Sequence, residues 1–330
     1  MIITRTPFRI SFAGGGSDLP SFYQKHEGCV ISTTINKYMY VSVHPTFNRE
    51  DTNIKYSKTE IVKDINDIQH PIAHQLLLDH NISGVEIVST ADIPSGTGLS
   101  TSSAYTVGLI HALYAYEGKY CSQERIASEA CELEIDKLGE PIGKQDQYGT
   151  AIGGLKFIRF LRDGSVDVEP LIISSKVKNE LSGNLLLFYT GLTHSASAIL
   201  QEQQANIISE DDKFNNLLKM TELTYEMKES IIGGDLRRFG EILNENWTLK
   251  QQLASSISNE TINKYYDIAL NNGAIGGKLL GAGGGGFLLF YCEKENQDRL
   301  RSALSELVEL PFEFDNSGTK VIYVGSKDWD

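Results

Sequence analysis

The sequence predicts an α+β protein. Strand and helix signals are mixed rather than strictly alternating, which disfavours a doubly wound parallel sheet. Short strand signals recur between Thr4 and Tyr189, whereas the stretch from Ser195 to about Leu270 is predominantly helical. A chain of 330 residues is too long for a peptide module and suits two lobes.

The elements follow in chain order. Thr4–Phe12 alternates weakly and ends in Ala13-Gly14-Gly15-Gly16-Ser17-Asp18, which reads as a strand, a tight glycine turn and the polar start of a short helix. Cys29–Val43 is rich in β-branched and aromatic residues and predicts one or two strands. Val85–Ser89 is a further short strand, followed by a glycine- and serine-rich loop over Ile93–Ser103. Ala104–Tyr116 has a helical apolar pattern, and Gln123–Leu138 a second one, with Ala127, Ala130, Leu133 and Leu138 near one side. Leu155–Phe160 and Asn184–Tyr189 read as strands. The helical stretch breaks at Gly233-Gly234 and Gly273. After Gly281–Gly286 come a strand at Phe287–Tyr291, a charged helix at Asn296–Leu307 and a last strand at Lys320–Val324. Ile172–Leu181 is polar and lies between strand signals, so the lobes are expected to divide near residue 175, as 1–175 and 176–330.

Composition narrows the function classes. With 41% hydrophobic and 22% charged residues the chain is ordinary globular material. A net charge of −13 disfavours nucleic acid or an anionic membrane as the main partner, because both reward basic surface. Cys29, Cys121, Cys131 and Cys292 form no CxxC pair, which reads as a reduced, cytoplasmic protein without a zinc ribbon. The first residues lack the apolar core of a signal peptide, and no run approaches the roughly 18 apolar residues of a membrane span. His70 and His74 are four apart but lack the glutamate of HExxH, so they read as a solvated helix start.

Four segments carry candidate chemistry. In Pro94-Ser95-Gly96-Thr97-Gly98-Leu99-Ser100-Thr101-Ser102-Ser103 a glycine loop runs straight into a helix. Unsatisfied N–H groups, a partial positive charge and hydroxyls together make a phosphate cradle. A plain N-capped helix is the alternative. No Gly-Lys-Ser/Thr closes the loop, so it is not a Walker A motif. Residues 281–286 of Lys278–Gly286 match GxGxxG literally, but a strand signal follows them, which rejects a dinucleotide fold. There Gly283 and Gly284 would either approach a ligand or form a packed turn. Pro7–Asp18 places Arg9, Gly15, Gly16 and Asp18 at a strand exit, where site residues or a surface turn are both common. Finally, Glu134 precedes Gly139–Gly149, in which Asp146 could accept a proton from a hydroxyl or serve as a turn former.

The order PxR…GGGSD, PSGTGLSTSSA, GKQDQYG and KLLGAGGGG, spread from about residue 4 to residue 290, resembles the GHMP kinases. The nearest resemblance is to the heptose 7-phosphate kinase branch, through Ala13–Pro20, Gly143–Gln147 and Thr190–Ala196, with His194 where that branch has arginine. The resemblance implies an N-terminal lobe like the second domain of ribosomal protein S5, packed on a ferredoxin-like C-terminal lobe. It implies ATP phosphates wrapped by Pro94–Ser103, magnesium held by Ser102 and Glu134, and Asp146 as the base with Arg9 keeping it ionised. Asp18, Gly15, Gly16, Gly283 and Gly284 would border the sugar. Gly15 replaces the glutamate of galactokinases, which speaks against galactose. The implied partners are ATP and a small sugar phosphate, phosphorylated at the anomeric hydroxyl, with a homodimer left open. Two alternatives stand beside it. One is a kinase for an unphosphorylated sugar such as L-fucose. The other is a non-catalytic sugar sensor, against which the presence of Arg9, Ser102, Glu134 and Asp146 argues.

Overall fold

The computed structural model describes residues 1–193 and 196–325. In chain order the strands are β1 (Ile2–Ala13), β2 (Gly28–Pro45), β3 (Thr52–Lys55), β4 (Thr59–Val62), β5 (Val85–Ala91), β6 (Lys156–Phe160), β7 (Val166–Pro170), β8 (Leu185–Tyr189), β9 (Ala274–Leu279), β10 (Phe287–Cys292), β11 (Val308–Glu309), β12 (Phe314–Asp315) and β13 (Lys320–Val324). The helices are α1 (Pro20–Tyr23), α2 (Pro71–His80), α3 (Thr101–Tyr116), α4 (Gln123–Cys131), α5 (Gln145–Ala151), α6 (Ser175–Gly183), α7 (Ala196–Ser209), α8 (Asp211–Gly233), α9 (Leu236–Lys250), α10 (Glu260–Asn271) and α11 (Lys294–Ala303).

Two sheets organise the fold. The larger follows the order β13-β1-β2-β5-β3-β4, with β6, β7 and β12 joining through β2. All its pairings are antiparallel except β3 with β5. The smaller is antiparallel throughout, β11-β8-β10-β9. The α+β reading therefore holds.

Helix α3 is buried along most of its length, with Ala104, Val107, Leu109, Ile110, Ala112 and Leu113 fully covered. A helix that apolar belongs inside, and its rigid placement fixes the loop before it. The second core gathers Trp247, Phe188, Phe290 and Leu288. Leu19 and Phe22, next to the first glycine turn, belong to this second core as well. In the other core Phe12 of β1 meets Phe239 of α9 edge-on at 5.3 Å, and α9 reaches the second core through Trp247.

Several boundaries differ from expectation. Helix α3 begins at Thr101, three residues earlier than its apolar pattern, whereas Cys29–Val43 forms a single strand, one of the two readings its composition allows. The second helix changes at Glu132–Lys137 into a π-helical turn, a distortion often found at functional sites. The polar segment after Ile172 contains helix α6. The chain also crosses the division expected at residue 175, because β12 and β13 return to pair with β2 and β1. Tyr225 on α8 is exposed and meets Phe157 edge-on at 5.1 Å.

Candidate active site

A cleft of about 1080 Å³ opens between the phosphate-cradle loop, the first glycine turn, α5 and the ends of α7 and α9. One wall is the loop between β5 and α3. Its glycines Gly96 and Gly98 adopt φ of +75° and +84°, and Ser100 at the helix cap is also left-handed at +65°. A serine held there is a strained backbone position of the kind that clusters at ligand sites. No side chain caps α3, and the buried Ser100 hydroxyl has no hydrogen-bond partner among the described residues. The N-capped alternative is thus set aside: the first turn of α3 offers bare N–H groups, a hydroxyl and the positive end of a 16-residue helix to the cleft.

Arg9 and Asp146 meet opposite this loop. Arg9 comes from β1 and is buried; Asp146 stands in the first turn of α5 and not in a loop as its surroundings predict. Arg9 Nε and Nη2 donate to Asp146 Oδ1 at 2.9 and 2.6 Å, and Nη1 donates to the Gly98 carbonyl at 2.8 Å. The guanidinium therefore ties the carboxylate to the loop. Asp146 Oδ2 has no hydrogen-bond partner among the described residues, and its side chain remains 29% exposed to the cleft. One oxygen is held for aim and the other is available as an acceptor.

Asp18 contrasts with it. It is buried, and its oxygens accept from the Gly16 N–H at 3.0 Å, the Gln145 N–H at 3.1 Å and Gln145 Nε2 at 3.3 Å. Burial pushes its carboxyl pKa up, against the backbone hydrogen bonds. The side chain clamps the glycine turn to the start of α5. A Cβ on Gly143 would stand 1.9 Å from Asp18 Oδ2, which explains the glycine in GKQDQ. Gly15 and Gly16 line the cleft beside it. Gly16, at φ +103°, is pressed by Gln203, whose buried Nε2 lacks a hydrogen-bond acceptor among the described residues.

Glu134 projects from the π-helical turn and is 2% exposed. It accepts from Ser103 Oγ at 2.9 Å, Thr106 Oγ1 at 2.8 Å and Gln147 Nε2. Burial raises its pKa, more than these donors lower it, and the Asp146 charge adds to the rise. No cationic side chain pairs with it among the described residues, so a carboxylate there lacks countercharge. Ser102 is exposed toward the cleft, and its neighbour Ser103 is the serine bonded to Glu134.

Gly281 and Ala282 line the cleft. Gly283 and Gly284 pack against Ile257 instead: a Cβ on Gly283 would lie 2.6 Å from Ile257 Cα, and the Gly284 N–H donates to the Ile257 carbonyl at 2.9 Å. Neither glycine is among the residues lining the cleft, and both serve a packed turn between β9 and β10, the alternative that the sequence left open. His194 lies outside the described residues. His70 does start a helix, accepting from the Ala73 N–H, but it is half-buried between Tyr56 and Tyr105 and lines the cleft. No sequence motif marks Lys250, a buried cleft residue whose Nζ donates to the Gly281 carbonyl at 2.5 Å. Among the described residues no cluster of three or more metal-ligating His, Cys, Asp or Glu stands together.

Two family models match the chain, "GHMP kinases N terminal domain" over residues 66–154 and "GHMP kinases C terminal" over residues 227–310. A D-glycero-alpha-D-manno-heptose 7-phosphate kinase of Campylobacter jejuni is 30% identical over 99% of this chain and 98% of its own length. A bifunctional fucokinase/GDP-fucose pyrophosphorylase of Arabidopsis thaliana is 27% identical over 92% of this chain, which spans 31% of that protein. Among solved structures, a D-glycero-D-manno-heptose 1-phosphate kinase from Bacteroides thetaiotaomicron superposes with a TM-score of 0.81 at 24% identity, covering 99% of this chain and all of the other. A putative sugar kinase from Campylobacter jejuni gives 0.77 at 27% identity, with 97% of each chain covered. The chain belongs to the GHMP kinases and is a phosphotransferase with an alcohol group as acceptor.

Proposed function

We propose that this sugar kinase phosphorylates the anomeric hydroxyl of D-glycero-α-D-manno-heptose 7-phosphate with ATP, giving the 1,7-bisphosphate and ADP. The observation that carries the chemistry is the Arg9–Asp146 pair bonded to the Gly98 carbonyl of the phosphate loop. It sets a proton acceptor beside a helix start suited to phosphates. The heptose assignment rests on the relative that matches end to end. The product would feed a nucleotide-activated heptose for surface polysaccharide, made where ATP is plentiful, in the cytoplasm.

In this reading the bare N–H groups of α3 and the loop backbone bind the ATP phosphates. Asp146 Oδ2 takes the proton of the acceptor hydroxyl as its oxygen attacks the γ-phosphorus, and the bond to the bridging β,γ oxygen breaks, leaving ADP. Gly15 leaves room for the sugar, Gly16 makes way for the Gln203 side chain, and Gln203 Nε2 offers the sugar a donor. Asp18 acts by holding Gln145 and so the register of α5. Glu134 and Ser102 offer hard oxygen ligands, and the uncompensated carboxylate suits Mg²⁺, which commonly binds one or two carboxylates plus substrate phosphates. When bound, the ion would neutralise phosphate charge.

A second reading, an L-fucose kinase, is favoured by the fucokinase match. Coupled ADP release against heptose 7-phosphate, L-fucose, D-galactose and mevalonate separates the two. The heptose phosphate is expected to give the highest kcat/KM; preference for fucose would replace the primary assignment.

A further inference from the structure

We infer that the Lys250 ammonium is a catalytic contact to the phosphoryl group in transit between ATP and the acceptor hydroxyl. Lys250 is the last residue of α9 and lines the cleft while only 5% exposed. Its one hydrogen bond among the described residues goes to the Gly281 carbonyl, leaving two of three ammonium protons without a protein acceptor. No carboxylate stands within ion-pairing distance of it among the described residues. Removing a cation from water without such a partner is costly, and an anion entering the cleft would relieve that cost.

The contacts around Lys250 say which anion. Gly281 backs directly onto the phosphate loop, since a Cβ on it would lie 2.6 Å from Gly98 Cα. The Gly98 carbonyl accepts from Arg9, and Arg9 holds Asp146. Lys250, the donor loop and the proton acceptor are thus joined through one stretch of backbone. The charged groups facing Lys250 are Arg9 from β1, Lys278 from β9, Asp18 from the glycine turn and Asp146 from α5. Burial, helped by Arg9 and opposed by the two aspartates, brings its pKa down to about 8. A buried ammonium with no ion pair of its own, close to the Arg9 guanidinium and open to the cleft, is arranged for a multiply charged anion and for charge that develops during transfer. A phosphate on the acceptor sugar shares this chemistry, but the bond to Gly281 places Lys250 on the donor side.

The inference rests on the reading of the α3 loop as the ATP phosphate site. It is tested on the full chain with Lys250→Met, which keeps the length of the stem and removes the charge. Expected is a fall in kcat of about 10²–10³, the usual loss for one transition-state donor. The KM for the sugar should not rise and the melting temperature should not fall relative to wild type. A binding readout needs no turnover: the ¹⁵N lysine ammonium signal absent from Lys250→Met should shift to higher pKa with magnesium β,γ-imido-ATP and much less with magnesium ADP. Retained kcat with a lowered melting temperature would make Lys250 a prop for Gly281 and overturn the inference. Equal responses to the two nucleotides, or a response only to the sugar phosphate, would overturn it as well. If wild type turns over no sugar in the panel, the substrate assignment fails, while the nucleotide titration still decides the role of Lys250.

Discussion

The 94–103 loop and the 281–286 loop meet at Gly98 and Gly281, yet their glycines face different surroundings. A Cβ on Gly96 would have nothing within 4 Å of it. A Cβ on Gly286 would stand 2.4 Å from the Thr97 carbonyl, one on Gly285 2.6 Å from the Leu192 carbonyl, and one on Gly283 2.6 Å from Ile257 Cα. In the first loop Gly98 backs onto the Leu280 carbonyl, 2.4 Å from where its Cβ would stand, and the open space where a ligand can come close lies at Gly96. The second spends its glycines on bringing protein backbones together, including the Thr190–Leu192 segment, whose Thr190 Oγ1 donates to the Gly286 carbonyl at 2.8 Å. Similar composition therefore has two physical causes. One is approach to a ligand and the other is approach of chain to chain.

Substitutions sharpen this contrast. Gly286→Ala should have the largest effect. It combines φ of +103° with a clash against backbone, and a loss of about 2–5 kcal/mol is expected. Denaturant unfolding measures it, and an unchanged midpoint would break the comparison. Gly96→Ala should cost only the left-handed strain, about 1–2 kcal/mol, while the KM for ATP rises. An ATP KM equal to wild type would mean that the loop does not meet phosphate at this glycine.

A smaller effect concerns Lys278, on the strand that leads into the second loop. It is buried, its Nζ donates to the Phe12 carbonyl, and burial holds its pKa well below the usual lysine value. Between that lowered value and the ordinary 10.5, the unfolded chain keeps a proton that the folded chain has released. The unfolded state then binds more protons, so stability rises with pH through this interval. Lys278→Met should remove that rise. Urea midpoints at a series of alkaline pH values compare the two proteins, and parallel pH profiles would refute the assignment.

The parts of the site that were legible in the sequence are local ones. A phosphate cradle is a contiguous run of glycines, hydroxyls and a helix start, so Pro94–Ser103 announced itself. Arg9, Glu134 and Asp146 were legible by their motifs, and the structure brings Arg9 onto Asp146. What stayed hidden depends on contacts between distant segments. Lys250 at the end of an amphipathic helix reads as a solvated cation complementing the helix dipole, and only the fold turns it into the cleft. Gln203 and the clamp formed by Asp18 on Gln145 are invisible for the same reason. The strand at Lys320–Val324 was legible as a strand, but nothing near it in sequence marks its pairing with Ile2–Arg5. Gly283 and Gly284 admit two readings in the sequence, because it shows that space is required without showing what fills it.

The central claim is that Asp146, aimed by Arg9, accepts the proton of the attacking hydroxyl, and steady-state kinetics of Asp146→Asn test it most directly. Asparagine keeps an oxygen for Arg9 but removes the charge and the proton acceptor. At saturating ATP, kcat should fall by roughly 10²–10⁴, with the KM for ATP little changed because the α3 loop is untouched. Arg9→Met should lower kcat by releasing the grip on Oδ1, and the double variant should lose little more than Asp146→Asn alone, as residues acting as one unit do. A kcat near wild type with a raised KM for the sugar would contradict the account and make Asp146 a binding residue.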